Sequence, residues 1–391
     1  MASTDLTAAS VEGSSAAAGA VAAARVAGQP EQLEHEELLI RRGARSGLYT
    51  IVAIHSTLRG PALGGCRMWR YERPLDAQRD AMRLSRAMTY KAAAADLPLG
   101  GGKGVIMVPV DEPIAAGRRR AALLDFADAV EMLGGRYITA EDVGTSSRDM
   151  NVIASVTRHV AGLARSRGGS GDPSPFTALG VHEAMRACCR RVFSSPSLRG
   201  RTVCVIGLGH VGSRVARRCA ASGARLLLAD VDQRKRGLAE RLGARWLSPE
   251  TGLLAECDVL APCALGGMLN EQTVPQLRCR MIAGAANNQL AHDGIAELLH
   301  ARGILWAPDF IVNAGGLINI AQELEGYDAA RARARVRGIA DVLARVFDEA
   351  EALGATPLTA AMELARQRLA AAAAGRSEAA RRARPPSARR G

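Results

Sequence analysis

Lys91 and Lys103 bracket a run of small and apolar residues that ends in a glycine triplet, Met88-Thr89-Tyr90-Lys91-Ala92-Ala93-Ala94-Ala95-Asp96-Leu97-Pro98-Leu99-Gly100-Gly101-Gly102-Lys103. An ammonium group in apolar surroundings either meets an anion or loses its proton, because desolvation disfavours the charged form. Two lysines so placed point to anion binding or proton transfer. The same spacing also fits two surface lysines flanking a buried helix, with the glycines forming a turn.

A second set of residues speaks for a nucleotide. Gly207-Leu208-Gly209-His210-Val211-Gly212 follows the apolar run Thr202-Val203-Cys204-Val205-Ile206, opens a helical stretch through Ala221, and precedes a second apolar run that ends in Asp230, eighteen residues after Gly212. Alone, Gly-x-Gly-x-x-Gly is a weak pattern in a chain with 41 glycines; within a strand-helix-strand unit it becomes a dinucleotide fingerprint. Gly207 permits the tight turn, Gly209 lets the backbone approach a pyrophosphate, and Gly212 lets helix and sheet pack closely. The helix N-terminus then meets the phosphate charge with free N–H groups. The carboxylate of Asp230 accepts from ribose hydroxyls and repels a 2′-phosphate, which favours NAD over NADP. Arg234, Lys235 and Arg236 close behind soften that preference. A doubly wound fold using the glycines only for packing is the plainer alternative.

These groups need strands and helices to hold them. Leu48 to His55 and Val105 to Pro109 have the composition of strands, and Leu75 to Thr89 and Arg118 to Leu133 have helical spacing. A further strand is predicted over Arg136 to Ala140, and a helix over Thr177 to Cys188. Between them Arg165 to Pro175, rich in Gly, Ser and Pro, reads as an interdomain loop. Beyond the βαβ unit, Val259 to Ala264, Met281 to Gly284 and Ile304 to Pro308 read as later strands of the same sheet.

With 391 residues the chain exceeds what one core usually serves, so two domains are expected, with an active site in the cleft between them. The fold class that follows is α/β: a first α/β domain and a Rossmann NAD-binding domain. The boundaries are 1–30 as a disordered extension, 31–165 as the first domain, 166–325 as the dinucleotide domain, and 371–391 as a disordered basic tail. Eight cysteines without Cys-x-x-Cys pairs argue against a zinc site or a disulfide framework, and no metal is expected. The first thirty residues lack a basic start followed by a long apolar stretch, and no segment is long and apolar enough to span a bilayer, so the cytoplasm is the expected location. Of the formal charge of +12, much sits after Gly375, where six arginines face one glutamate. That tail is either passive and solvated or a weak binder of RNA or a membrane surface.

Several stretches then converge, in order, on one family: Gly60-Pro61-Ala62-Leu63-Gly64-Gly65-Cys66-Arg67-Met68-Trp69, Met88-Thr89-Tyr90-Lys91, Gly100-Gly101-Gly102-Lys103, Ile138-Thr139-Ala140-Glu141-Asp142-Val143-Gly144-Thr145, Gly284 to Leu290, and Ala307-Pro308-Asp309-Phe310-Ile311-Val312-Asn313-Ala314-Gly315-Gly316. They resemble the amino acid dehydrogenases that include the leucine, phenylalanine, valine and glutamate enzymes, over about 35 to 360. The resemblance implies that 31–165 is the substrate domain, with helices in 326–370 packing back on it, and it implies the reversible conversion of an L-amino acid, NAD and water to a 2-oxo acid, ammonium and NADH, by a homo-oligomer. It implies Lys91 as the binder of the substrate carboxylate, helped by the backbone of Gly64 and Gly65, and Lys103 as the catalytic base. A second ammonium nearby would depress the pKa of Lys103. Asp142 matches the family's site aspartate, acting on the protons of the amine or holding ammonium; its alternative role is a helix N-cap before Arg148. Asn287 and Asn288 are candidates to orient the nicotinamide, though an Asn-Asn pair also suits a turn.

Leu63 stands where glutamate dehydrogenases carry a basic residue, so an acidic substrate would lack its counter-charge. Leu63, Ala140 and Val312 are candidate pocket walls. Residues 62–69 and 171–175 resemble leucine dehydrogenases, while 97–103 and Asn287-Asn288 resemble the phenylalanine enzymes. The reading favours a branched-chain substrate, with an aromatic one as alternative. A nucleotide-sensing protein without turnover is the rival from another class.

Overall fold

A computed structural model describes residues 34–111 and 113–382. The expectations for 1–30 and for 383–391 lie outside the described residues. The first part of the chain runs β1 (Glu37–Arg42), β2 (Tyr49–Ser56), β3 (Ala62–Arg70), α1 (Pro74–Ala94), β4 (Gly100–Val108), α2 (Ala116–Met132), β5 (Tyr137–Glu141) and α3 (Ser147–Ile153). Its five strands form a mixed sheet in the order β1-β2-β4-β3-β5. β2 runs antiparallel to β1 and β4, whereas β3 runs parallel to β4 and β5.

The glycine triplet is not a turn before a strand, as the sequence had indicated; it lies inside β4, together with Lys103. The cause is the helix lying across it. α1 buries Ala77, Ala81, Ser85, Thr89 and Ala92, a face of small residues at helical spacing that permits close approach. A Cβ at Gly101 would lie 2.1 Å from the Thr89 backbone nitrogen, and one at Gly102 would lie 2.6 Å from the Tyr137 ring. Side chains are therefore excluded from this stretch of strand, and its composition looks like a loop for a tertiary reason.

The second part contains α4 (Ser174–Phe193), β6 (Thr202–Ile206), α5 (Gly212–Ala221), β7 (Arg225–Ala229), α6 (Arg236–Arg241), β8 (Arg245–Leu247), α7 (Pro249–Leu253), β9 (Cys257–Pro262), β10 (Cys279–Ile282), α8 (Ile295–Ala301) and β11 (Leu305–Trp306). Its six strands are all parallel, in the order β11-β10-β9-β6-β7-β8. With β6 taken as the first strand, this is the 3-2-1-4-5-6 arrangement of a Rossmann sheet, whose switch point lies at β6 and β9.

The chain closes with α9 (Asp309–Val312), α10 (Gly315–Ala321), α11 (Ala329–Arg337), α12 (Ile339–Leu353) and α13 (Pro357–Arg382). α12 packs on α4, and α13 packs on α1. Arg368 Nη1 donates to the carbonyls of Ala93 and Ala94 at 2.9 and 2.8 Å, satisfying the free C-terminal end of α1. α13 continues to Arg382, so residues 371–382 are helical where a disordered tail was expected. Alanines carry the helix that far, since they lose no side-chain freedom on ordering. Among the described residues no helix is long and apolar enough to cross a membrane. The eight cysteines are free, and all but Cys263 are buried.

Candidate functional site

Lys91 stands in the last turn of α1 and Lys103 in the middle of β4, beside Ala53 of β2. Helix packing on the sheet turns both inward, which removes the reading of two surface lysines. Lys103 is 5% exposed, and its Nζ donates to Asp142 Oδ2 at 2.7 Å. Asp142 follows β5 directly, and a Cβ built on Gly65 would lie 2.7 Å from the Asp142 Cβ, so the β3 backbone runs beneath the carboxylate. Gly64 pairs with Thr139, and Gly65 with Ala140.

Asp142 is not a helix cap. The N-cap of α3 is Ser146, whose N–H and hydroxyl both donate to Asp149 Oδ2 at 2.9 Å. The Asp142 backbone is held separately: its N–H donates to Thr145 Oγ1, which in turn donates to the carbonyl of Cys66. Its side chain is left to Lys103 and to Arg67, whose Nε donates to the same Oδ2 at 2.9 Å. Arg67 Nη1 reaches Asp80 Oδ2 at 2.8 Å, and Tyr71 donates its hydroxyl to that oxygen.

Burial raises the Asp142 pKa, but Lys103 and Arg67 outweigh it and hold the carboxyl below its ordinary value. Lys103 is depressed chiefly by burial, against the upward pull of Asp142, and the Arg67 cation adds to the depression. Lys91 and Lys103 also repel each other: burial takes Lys91 down to about 8, opposed by Asp309, and the Lys103 charge pushes in the same direction as burial.

Lys91 Nζ donates to Asn313 Oδ1 at 2.6 Å. Asn313, immediately after α9, uses its amide to donate to Asn287 Oδ1 at 2.7 Å and to the Ala285 carbonyl at 3.2 Å. One buried amide thus links the helix bearing Lys91 to the turn that follows β10. Asn288 sits in that turn at φ +52°, a left-handed conformation that Asn tolerates. Leu63, Ala140 and Val312 are all buried in one large apolar cluster.

At the nucleotide loop, Gly207 has φ +93°, and a Cβ on Gly212 would lie 1.8 Å from the Gly207 carbonyl oxygen, so both turn and packing demand glycine. A Cβ on Gly209 would meet nothing within 4 Å, and Gly209 and His210 are exposed at the start of α5. Val211 is the N-cap position of that helix. Leu208 differs from expectation: its side chain is buried and its N–H donates to Asp230 Oδ2 at 2.6 Å, so that amide is turned to the protein's own carboxylate. An open glycine, a helix N-terminus and an acid just past β7 fit the pyrophosphate and ribose of a nicotinamide dinucleotide.

Sequence reasoning missed Asn313 and Arg67 as members of the site. A signal existed for each: an amide within the otherwise apolar 310–318, and a guanidinium within the strand 62–69. Their partners lie too far along the chain to be inferred from spacing.

The description "Glu/Leu/Phe/Val dehydrogenase, dimerisation domain" matches residues 35–159, and "Glutamate/Leucine/Phenylalanine/Valine dehydrogenase" matches 227–376. Leucine dehydrogenase of Bacillus subtilis is 43% identical over 340 residues, 87% of this chain and 92% of that protein. Valine dehydrogenase of Streptomyces coelicolor is 42% identical over 346 residues, 88% of this chain and 94% of that protein. The crystal structure of L-tryptophan dehydrogenase from Nostoc punctiforme superposes with a TM-score of 0.76 at 37% identity, covering 87% of this chain and 97% of that one.

Proposed function

The chain belongs to the glutamate/leucine/phenylalanine/valine dehydrogenase family, and from that membership we propose that it catalyses the reversible NAD-dependent oxidative deamination of an apolar L-amino acid, leucine and its branched-chain relatives foremost. The products are the 2-oxo acid, ammonium, NADH and a proton. The observation that carries this reading is the pair of inward-turned lysines with different partners, half-buried Lys91 on a neutral amide and buried Lys103 on a carboxylate.

A neutral partner leaves Lys91 free to meet an anion. At neutral pH it is mostly cationic, and an incoming substrate carboxylate would favour the ammonium further, so Lys91 grips the acid end of the amino acid beside the backbone of Gly64 and Gly65. Asn313 fixes where that ammonium stands. Lys103, once neutral, takes a proton from the water that attacks the substrate's imine carbon. Asp142, held anionic by Lys103 and Arg67, receives protons from the substrate nitrogen or steadies the ammonium that forms. NAD, when bound, supplies the hydride acceptor. Gly207, Gly209 and Gly212 would shape its pyrophosphate seat, Asp230 would supply the ribose contact, and Asn287 and Asn288 are the candidates to orient the nicotinamide end.

The division at 165/166 into a substrate part and a nucleotide part, with the site in the cleft between them and helices from 326 onward returning to the first, is part of the same proposal. So is a homo-oligomer, in keeping with the dimerisation domain matched over 35–159. Leu63 on β3, an uncharged residue that is 2% exposed, supports an apolar substrate. The likeness to a tryptophan dehydrogenase favours the aromatic alternative. Steady-state rates with a panel of L-amino acids, NAD and NADP side by side, decide among these. Fastest turnover of leucine, valine or isoleucine is expected; a preference for phenylalanine or tryptophan would overturn the substrate, and NAD binding without turnover of any amino acid would favour the sensing reading. Light scattering that gave a monomer at micromolar concentration would overturn the oligomer.

A further inference from the structure

Asp309, the first residue of α9, is a buried carboxylate outside the proton transfers of the reaction, with 8% of its surface exposed. Its Oδ2 accepts from the Gln289 N–H at 2.9 Å. One helical turn further on, Asn313 donates its amide to Asn287 Oδ1 and to the Ala285 carbonyl. Two side chains four positions apart therefore hold the same turn at both its ends. That turn is sorted by exposure: Asn287 and Asn288 are exposed, whereas Gln289 is buried completely. The Gln289 side chain donates to the carbonyls of Gly284 and Ala286 at 2.9 and 3.1 Å and accepts from Trp306 Nε1 at 3.1 Å. A buried amide engaged at both its ends fixes the turn in one arrangement, since any other would leave polar groups unpaired away from water.

The same carboxylate acts on the substrate side. The charges that bear on Lys91 are Asp309 from α9, Lys103 from β4 and Asp142 from the segment after β5; Asp309 acts most strongly, and in the direction that favours the ammonium. In return Lys91 favours the Asp309 carboxylate against burial, as do the N–H groups of Gln289, Phe310 and Asn288. Lys91 donates to the neutral Asn313 amide, so the charge of Asp309 steadies the ammonium while Asn313 sets its place.

We propose that Asp309 is a positioning residue of the reaction, anchoring the turn that carries Asn287 and Asn288 and serving as the fixed counter-charge of Lys91. The proposal rests on the reading of Lys91 as the binder of the substrate carboxylate and extends it. Asp309 acts through Lys91 and Gln289, not on the reacting atoms.

Initial rates of NADH formation by the whole protein, measured across pH, test this. Asp309→Asn keeps an acceptor for the Gln289 N–H and removes the charge. Lys91 then loses its proton at lower pH, so the alkaline limb of kcat/KM for the amino acid should move down by about one unit. The loss relative to the wild type should grow about fivefold between pH 7 and pH 9, carried by KM more than by kcat. Asp309→Ala lacks the acceptor as well and should in addition raise KM for NAD by about fivefold or more at every pH, the worth of one hydrogen bond. Asp309→Glu retains the charge and should leave the limb in place. A limb that stays put in Asp309→Asn, or a loss by one factor at all pH values, overturns the proposal. So does an unaltered KM for NAD in Asp309→Ala, or a limb that moves as far in Asp309→Glu as in Asp309→Asn. Wild-type kcat/KM for the amino acid in Lys91→Met would place the failure in the reading of Lys91 instead.

Discussion

Lys91 and Asn313, 222 positions apart in sequence, share a 2.6 Å hydrogen bond, and the same Asn313 amide donates to Asn287. The ammonium proposed to grip the substrate and the turn proposed to face the nicotinamide are therefore registered to each other by one side chain. Replacing it, Asn313→Ala, should cost about 1.5–3 kcal/mol, the range for a hydrogen bond to a charged group. Steady-state kinetics should show kcat/KM for the amino acid falling by about 10- to 100-fold, while nucleotide affinity changes little. An unaltered kcat/KM would show that Lys91 is placed by its helix alone.

Burial of Lys91 makes the folded state harder to protonate, with a pKa of about 8 against an ordinary 10.5. Below pH 8 both states carry the proton and the folded protein bears the desolvation cost. Between 8 and 10.5 the unfolded chain binds a proton that the folded one lacks, so this residue's contribution to stability rises with pH. Lys91→Met should raise stability by about 2 kcal/mol at pH 7 while abolishing amino acid binding, and the gap should close by about pH 10.5. Urea unfolding of both proteins at pH 7 and pH 10 checks this; a constant gap would show that the charge is not what the substitution relieved.

Lys103→Met should lower kcat by about 10²–10⁴, the range for loss of a general base. Asp142→Asn should lower kcat by a similar factor, but its residual activity carries the sharper signal. Asp142 is the strongest upward influence on Lys103, so its neutralisation lets the lysine lose its proton more readily. The acid limb of the kcat/KM profile should move to lower pH in Asp142→Asn. A limb that stayed in place would assign it to another group.

Arg67 ties Asp142 to Asp80, and Arg67→Met leaves two half-buried carboxylates without their shared cation. A loss of about 1–3 kcal/mol in unfolding free energy is expected, less than for a fully buried pair because both partners keep some solvent. Asp142, with less positive charge around it, should titrate higher. Unchanged stability in denaturant titration would mean that Lys103 and Tyr71 suffice.

Gly101→Ala should be among the most damaging small substitutions, since the added carbon would meet the Thr89 backbone nitrogen at 2.1 Å and neither α1 nor β4 can yield locally. A cost of about 3 kcal/mol is expected by overpacking. Gly117→Ala, with open space at its Cβ, is the control and should be neutral or mildly stabilising.

Much of the site was legible in residue order alone. Apolar runs on either side of Gly207–Gly212, with Asp230 at the end of the second, determine a strand-helix-strand unit, because hydrophobic period and glycine tolerance are local properties. Lys91 and Lys103 were visible as candidates because ionisable groups set in small and apolar surroundings are costly without a use, and Asp142 entered through its match to the family's site aspartate. What only the tertiary structure decided is the state of those groups. Gly100–Lys103 had the composition of a turn and became the centre of a sheet, since the steric demand comes from Thr89 and Tyr137, which approach only on packing. Arg67 joins burial in depressing Lys103, and Asn313 reaches Lys91 across 222 positions, because charge and hydrogen bonding act through space over a few ångströms, whereas a sequence records only distance along the chain.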